Sequence, residues 1–257
     1  MAIQEYLNTH QVFTADDFRR AFPASRTNRN LLNRAVTNGH VDRPKRGLYV
    51  SRVGAYSRSS ASPFDVALKA ADDAVFCFTS ALQLHGVLHN VAFLTQFYTA
   101  RKVAPFDYAD QEYRPIRLPS SQAIAALGLF TPTGHRYQVT TREQTLVDCL
   151  DRVSLAGGPE NTLRSIAGFR HLDVDAVVEI AERCSSASLQ ARLGWVLEAM
   201  AAYWGVAGDV LAALAGSLTG GPYYFPPAAE LKNPSWVNRW KLYLPAPEPE
   251  MIAWLNQ

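Results

Sequence analysis

Cysteine is scarce in this chain, with Cys77, Cys149 and Cys184 as the whole complement. They are far apart, odd in number and set among apolar neighbours such as Val75-Phe76 and Leu146-Val147. That pattern excludes a disulfide framework and points to buried free thiols. Long apolar runs are missing as well. No stretch approaches the roughly 18 residues of a membrane span, and no charged-then-apolar leader opens the sequence. The expectation is a cytoplasmic protein with no membrane partner. Internal repeats are absent, and so is any extreme of charge, the formal net charge being +2 over 257 residues.

What is present is the composition of a folded protein, 48% apolar and 19% charged, with enough chain for one large core or two smaller ones. Two domains are expected. The small net charge hides an asymmetry: residues 1–52 hold 9 Lys/Arg against 4 Asp/Glu, a balance of +5, while residues 53–257 hold 16 against 19, a balance of −3. Positive charge therefore collects at the N-terminal end, where a nucleic-acid partner would be met.

The same end carries a motif. Thr14 to Val50 reads as a helix, a turn, a second basic helix and a short hairpin, the order of a winged helix-turn-helix. The second helix has Ser25 or Thr27 as N-cap, Leu31, Leu32, Ala35 and Val36 as an apolar stripe, and Gly39 just past its end. Opposite that stripe, Arg26, Asn30, Asn33 and Thr37 fall on one line at about 100° per residue, with Arg29 and Arg34 flanking it. Arginine pairs bidentately with guanine and asparagine with adenine, so Arg26, Asn30 and Asn33 are the candidates for base edges. Arg29 and Arg34 are candidates for phosphates, where contacts make affinity fall with salt. Val41 then opens a strand, Pro44-Lys45-Arg46-Gly47 has turn chemistry, and Leu48-Tyr49-Val50 returns. Such a hairpin is a wing, and Lys45 and Arg46 at its tip are candidates for the phosphate backbone.

Around the motif, Ala2 to His10 reads as a short first helix with Ile3, Tyr6 and Leu7 on one side. Thr14 and Asp17 have the spacing of a capping box, and the helix they start ends before Pro23, its Phe18, Ala21 and Phe22 facing Leu31 and Leu32. Ser51 to Pro63 is serine-rich and reads as a linker. The domain expectation is 1–52 for the DNA-binding domain, 53–63 for the linker and 64–257 for the second domain. In the latter, helices over 65–71 and 80–85 and strands over 75–78, 92–99, 115–118 and 136–139 suggest a small sheet. Thr141 caps a helix through Asp151, and after Gly157-Gly158 helices over 159–167, 174–183, 189–203 and 209–218 form a second core. Tyr223-Tyr224-Phe225 and Trp240-Lys241-Leu242-Tyr243 are short-strand candidates. The fold class expected is α+β: an N-terminal winged helix-turn-helix followed by a mixed α/β domain with a helical C-terminal part.

Several of these segments, taken together and in order, match one family. Phe13-Thr14, Arg46-Gly47-Leu48-Tyr49, Ser80-Ala81-Leu82 with His85-Gly86, Thr141 to Asp148 with Gly157-Gly158, and Arg239-Trp240-Lys241-Leu242 resemble the motifs of the AbiEi antitoxins of bacterial abortive-infection toxin–antitoxin systems. The resemblance implies an N-terminal domain that binds inverted repeats of operator DNA and represses its own operon, as a possible homodimer on the duplex. It implies a C-terminal domain that counteracts a nucleotidyltransferase-like toxin, directly or functionally. The alternative is a stand-alone winged-helix regulator whose second domain senses a ligand or dimerises.

A third class, an enzyme, finds little support in the residues. His85 and His89 have zinc-pair spacing, but Gly86 ends the helix between them and a capping and packing role is the plainer reading. Glu143, Asp148 and Asp151 resemble an acidic metal cluster, yet Arg142 and Arg152 flank them as on a charged helix surface. Glu230-Leu231-Lys232 ends like a nuclease signature without its upstream aspartate, and Gly157-Gly158 lacks the Lys-Ser/Thr of a phosphate loop. The expectation is no catalytic residue, no metal and no cofactor.

Overall fold

A computed structural model describes residues 2–23, 26–118, 124–130, 136–226 and 234–256. The fold is mixed α+β. In chain order it begins with α1 (Ile3–Thr9), β1 (Val12–Thr14), α2 (Ala15–Ala21), α3 (Arg26–Thr37), β2 (Val41–Lys45), β3 (Leu48–Ser51) and α4 (Pro63–Ala70). There follow β4 (Val75–Phe76), α5 (Phe78–Leu84), β5 (Leu94–Thr99), β6 (Phe106–Tyr108), β7 (Gln111–Arg117), β8 (Ala126–Phe130) and β9 (Arg136–Thr140). The helical part is α6 (Arg142–Asp151), α7 (Pro159–Ile166), α8 (Val174–Cys184), α9 (Ala187–Ala199), α10 (Ala201–Trp204) and α11 (Gly208–Ser217). The chain closes with β10 (Tyr223–Tyr224), β11 (Ser235–Val237), β12 (Leu242–Leu244) and α12 (Glu248–Leu255).

Compactness divides the chain at other places than the expected 1–52, 53–63 and 64–257. One unit joins Met1–Ala74 to Phe93–Arg117, and the other joins Val75–Ala92 to Leu118–Gln257. The serine-rich segment belongs to the first unit: Val53 is buried in its core and Gly54–Tyr56 form a 3-10 turn.

The core of the first unit is aromatic. Tyr6 meets Phe13, Phe18 and Phe22 edge-on, with ring centroids 5.3, 5.6 and 5.5 Å apart, the geometry that sets a positive ring edge against a negative face. Leu32 and Ala35 of α3 close this core from one side and Val41 and Tyr49 of the hairpin from another. Thr14 starts α2 through the expected box, its hydroxyl accepting from the Asp17 N–H at 3.1 Å while the Asp17 carboxylate accepts from the Thr14 N–H at 3.0 Å. The strands form an antiparallel sheet in the order β1-β3-β2, with Phe13 opposite Tyr49 and Lys45 opposite Leu48. In the same unit β7 pairs antiparallel with β6 and parallel with β5.

The second unit is built around α6. Gln144 to Leu150 are all buried, and the helix packs against α5, α7, α8 and α9. Thr141 caps it, accepting from the Gln144 N–H at 3.1 Å. At its other end the half-buried Arg192 guanidinium donates to the Leu150 and Asp151 carbonyls, each at 2.9 Å, so two orphan carbonyls at the helix end are satisfied from another helix. Its three strands run β4-β9-β8, parallel then antiparallel, and a smaller sheet runs β10-β12-β11.

Some boundaries differ from the sequence reading. The expected strand over 75–78 stops at Phe76, because Phe78 takes φ +49° and opens α5. The single helix expected over 189–203 is two, interrupted at Met200 with φ −102° and ψ 11°. β1, β6, β8, β11 and α12 are additional elements; the four strands are at most five residues long, too short for a pattern of alternation to show.

Candidate nucleic-acid interface

Helix α3 separates its two faces as its spacing dictates. Leu32 and Ala35 are buried, Leu31 and Val36 half-buried, and Asn30, Asn33, Arg34 and Thr37 exposed. Its end is a left-handed glycine cap: Gly39 takes φ +71°, its N–H donates to Val36 at 3.0 Å, and the His40 N–H donates to Ala35 at 2.9 Å. The start differs from one of the two expectations. The helix begins at Arg26, so Thr27 is a helical residue and not the cap, while Ser25 lies outside the described residues. The backbones of Arg26 and Arg29 lie in the first turn, and their side chains are outside those described. Thr37 spends its hydroxyl hydrogen on the Asn33 carbonyl at 3.1 Å, which leaves Asn30, Asn33 and Arg34 as the described side chains with polar groups turned to solvent.

The hairpin turn is shorter than the sequence suggests. β2 runs through Pro44 and Lys45, and the two-residue connection is Arg46-Gly47, with Gly47 at φ +85°. Arg46 is exposed at the tip. Lys45 is not: its ammonium sits 5.1 Å from the centre of the Phe106 ring on β6, and burial lowers its pKa from the ordinary lysine value. A second contact ties the same strands. The Arg52 guanidinium donates to Asp42 Oδ2 at 2.6 Å and the Tyr108 hydroxyl donates to the same oxygen at 2.9 Å. Burial first, then this carboxylate, raises the Tyr108 pKa above the ordinary tyrosine value.

Carboxylates neutralise some N-terminal cations and leave others. Arg19 pairs with Asp16, Arg20 lies 3.9 Å from Asp17, and Arg52 is held by Asp42. Arg34, Arg43 and Arg46 are exposed and carry no ion pair among the described residues. Arg43, on β2, is a cation the sequence reading passed over; it is the one exposed residue of that strand, where the register with β3 shifts between Asp42 and Lys45.

The acidic residues of α6 are not the charged surface expected of them. Asp148 is buried and accepts from the Gln144 amide at 2.8 Å. Asp151 is half-buried, and burial raises its carboxyl pKa against the pull of Arg192 and Arg152. Glu143 accepts from the Asp173 N–H at 3.3 Å. Among the described residues no three His, Cys, Asp or Glu side chains gather at a metal's distance. His85 donates from Nε2 to the Thr140 carbonyl at 2.8 Å and meets Phe169 edge-on at 5.8 Å, and burial lowers its pKa from the ordinary histidine value. Glu230-Leu231-Lys232 lies outside the described residues. Cys77 and Cys149 are buried and Cys184 is half-buried, and the three form no disulfide with one another.

In the second unit a cleft of about 380 Å³ opens between the end of α5, the start of α6 and the 168–171 loop. His85, Arg142, Arg170 and His171 supply its polar lining, and Val87 and Phe169 its apolar part.

No family model matches the chain, and no curated protein does. Among solved structures, the chain resembles the crystal structure of RV2827C protein from Mycobacterium tuberculosis, with a TM-score of 0.69 and 14% identity over 99% of this chain and 92% of that one. A likeness at that identity concerns the fold, which the two chains share along nearly their whole length. No described helix is long and apolar enough to cross a membrane.

Proposed function

We propose that the chain is a cytoplasmic, duplex-DNA-binding autorepressor that also serves as the antitoxin of an AbiEi-like toxin–antitoxin pair. The observation that carries the DNA-binding half is the split face of α3, with Leu32 and Ala35 in the core and Asn30, Asn33 and Arg34 turned out beside a hairpin that presents Arg46. The order helix, strand, helix, helix and two-stranded hairpin supports the winged helix reading. Asn30 and Asn33, with Arg26 on the same helical line, read base edges, while Arg29, Arg34, Arg43 and Arg46 lie on phosphates. A second copy on an inverted repeat would double the contact area that one small domain supplies. The antitoxin half rests on the motif resemblance, whose Thr141 to Asp148 segment folds as the buried helix of the second unit. That helix is structural in this reading, and the chain is not an enzyme.

The test is fluorescence anisotropy of a labelled duplex taken from upstream of the protein's own coding sequence, against a shuffled duplex. Affinity for the upstream duplex alone, falling with salt, supports the reading, and equal affinity for both or none removes it. A toxin gene beside this one separates the antitoxin from a stand-alone regulator.

The two hairpin cations should behave differently. Arg46→Ala is expected to reduce the slope of log affinity against log salt by about one, as for one lost phosphate contact. Lys45→Ala is expected to leave that slope unchanged and to lower stability by about 0.5–1 kcal/mol, because its charge rests on the Phe106 ring. A salt titration of both variants, paired with urea denaturation, checks the difference.

A further inference from the structure

We propose that the cleft of the second unit binds a small molecule through a terminal phosphate group. Its walls are fixed by contacts that do not involve its cations. His85 is held by the Thr140 carbonyl, the Phe169 carbonyl accepts from the Trp204 indole N–H at 2.8 Å, and Glu143 at the start of α6 accepts from the loop's Asp173 N–H at 3.3 Å. Gly168 lets the loop approach α5's end closely, since a Cβ there would lie 3.0 Å from the Val87 side chain. A preformed concavity of this volume is of the size that small-molecule ligands occupy.

Its chemistry is cationic. Arg142 and Arg170 are exposed and carry no ion pair among the described residues, and His171, also exposed, adds an imidazole to the lining. The carboxylates nearby already have work in the fold: Glu143 holds the loop, and Asp173 caps α8, accepting from the Ala176 N–H at 3.0 Å. A terminal phosphate offers three oxygens and can accept from two guanidinium forks at once, whereas a carboxylate offers only two oxygens. The first turn of α6, where Arg142 is the first residue, adds the partial positive charge of a helix start. Val87 and Phe169 supply the apolar wall against which the rest of the molecule lies.

Isothermal titration of the full chain with pyrophosphate, and separately with inorganic phosphate, tests this. Saturable one-to-one binding of pyrophosphate, weakened by about tenfold or more in the Arg142→Ala, Arg170→Ala double variant, is the expected result. Both side chains are exposed, so the variant is expected to keep the circular-dichroism spectrum of the native chain. Arg183→Ala, which removes a cation paired with Glu179 outside the cleft, should bind pyrophosphate as the native chain does. No saturable binding at millimolar concentration, or equal affinity in the double variant, would overturn the proposal. Inorganic phosphate binding as tightly as pyrophosphate would assign the cleft to the free ion and overturn the larger ligand.

Discussion

Gly194→Ala is expected to destabilise the second unit by about 3 kcal/mol or more, because a methyl group at this position would overlap the six-membered ring of Trp240. Trp240 is fully buried, and its indole N–H donates to Glu198 Oε2 at 2.6 Å, one turn along α9 from Gly194. The ring therefore has a fixed place over the helix backbone and cannot turn away without losing that hydrogen bond. Trp240→Ala removes the ring and leaves a cavity, and is expected to cost about 3–5 kcal/mol. Combining it with Gly194→Ala should cost less than the sum of the two, since the methyl then enters space the ring has left. Urea denaturation of the three variants measures this, and a native midpoint for Gly194→Ala would show that the ring does not press on α9.

The second large effect is functional. Reversing charge at Arg34 and Arg46 together is expected to lower affinity for the upstream duplex by about a hundredfold or more, because two phosphate contacts become two repulsions. Both side chains are exposed and unpaired among the described residues, so the variant should fold as the native chain does. Protection of a host expressing the neighbouring gene should persist in the same variant, if repression and antitoxicity lie on different units. Loss of both at native fold would contradict that division. The full chain is the right material for the experiment: a fragment starting at residue 64 would cut through the first unit, which includes α4 and β5 to β7.

Helices α2 and α3 were legible in the sequence because each combined periodicity with a local signal, whereas the three-residue β1 was not. α3 had an apolar stripe and a terminal glycine, and α2 had a capping pair whose hydrogen bonds form as the spacing predicts. The role of Lys45 was not legible, since its position in a basic turn says nothing of Phe106, about sixty residues further on, which takes its charge onto a ring face. Asp148 was misplaced for a related reason: helical periodicity assigns polar residues to the outside, and only a partner such as Gln144, four residues back, lets a carboxylate go inside. The cleft escaped notice because its cations come from two separate segments, Arg142 and the Arg170-His171 pair, and no spacing rule joins them. Gly194 gave no signal either. A glycine inside a helix reads as a weak point until the ring that needs it is in view.

The most direct measurement of the central claim is amide hydrogen exchange of the full chain with and without the upstream duplex. Added protection confined to the first unit, strongest over residues 30–37 and at Arg46-Gly47, is the result this account predicts. Protection confined to residues 136–226, with α3 and the hairpin unchanged, would contradict it.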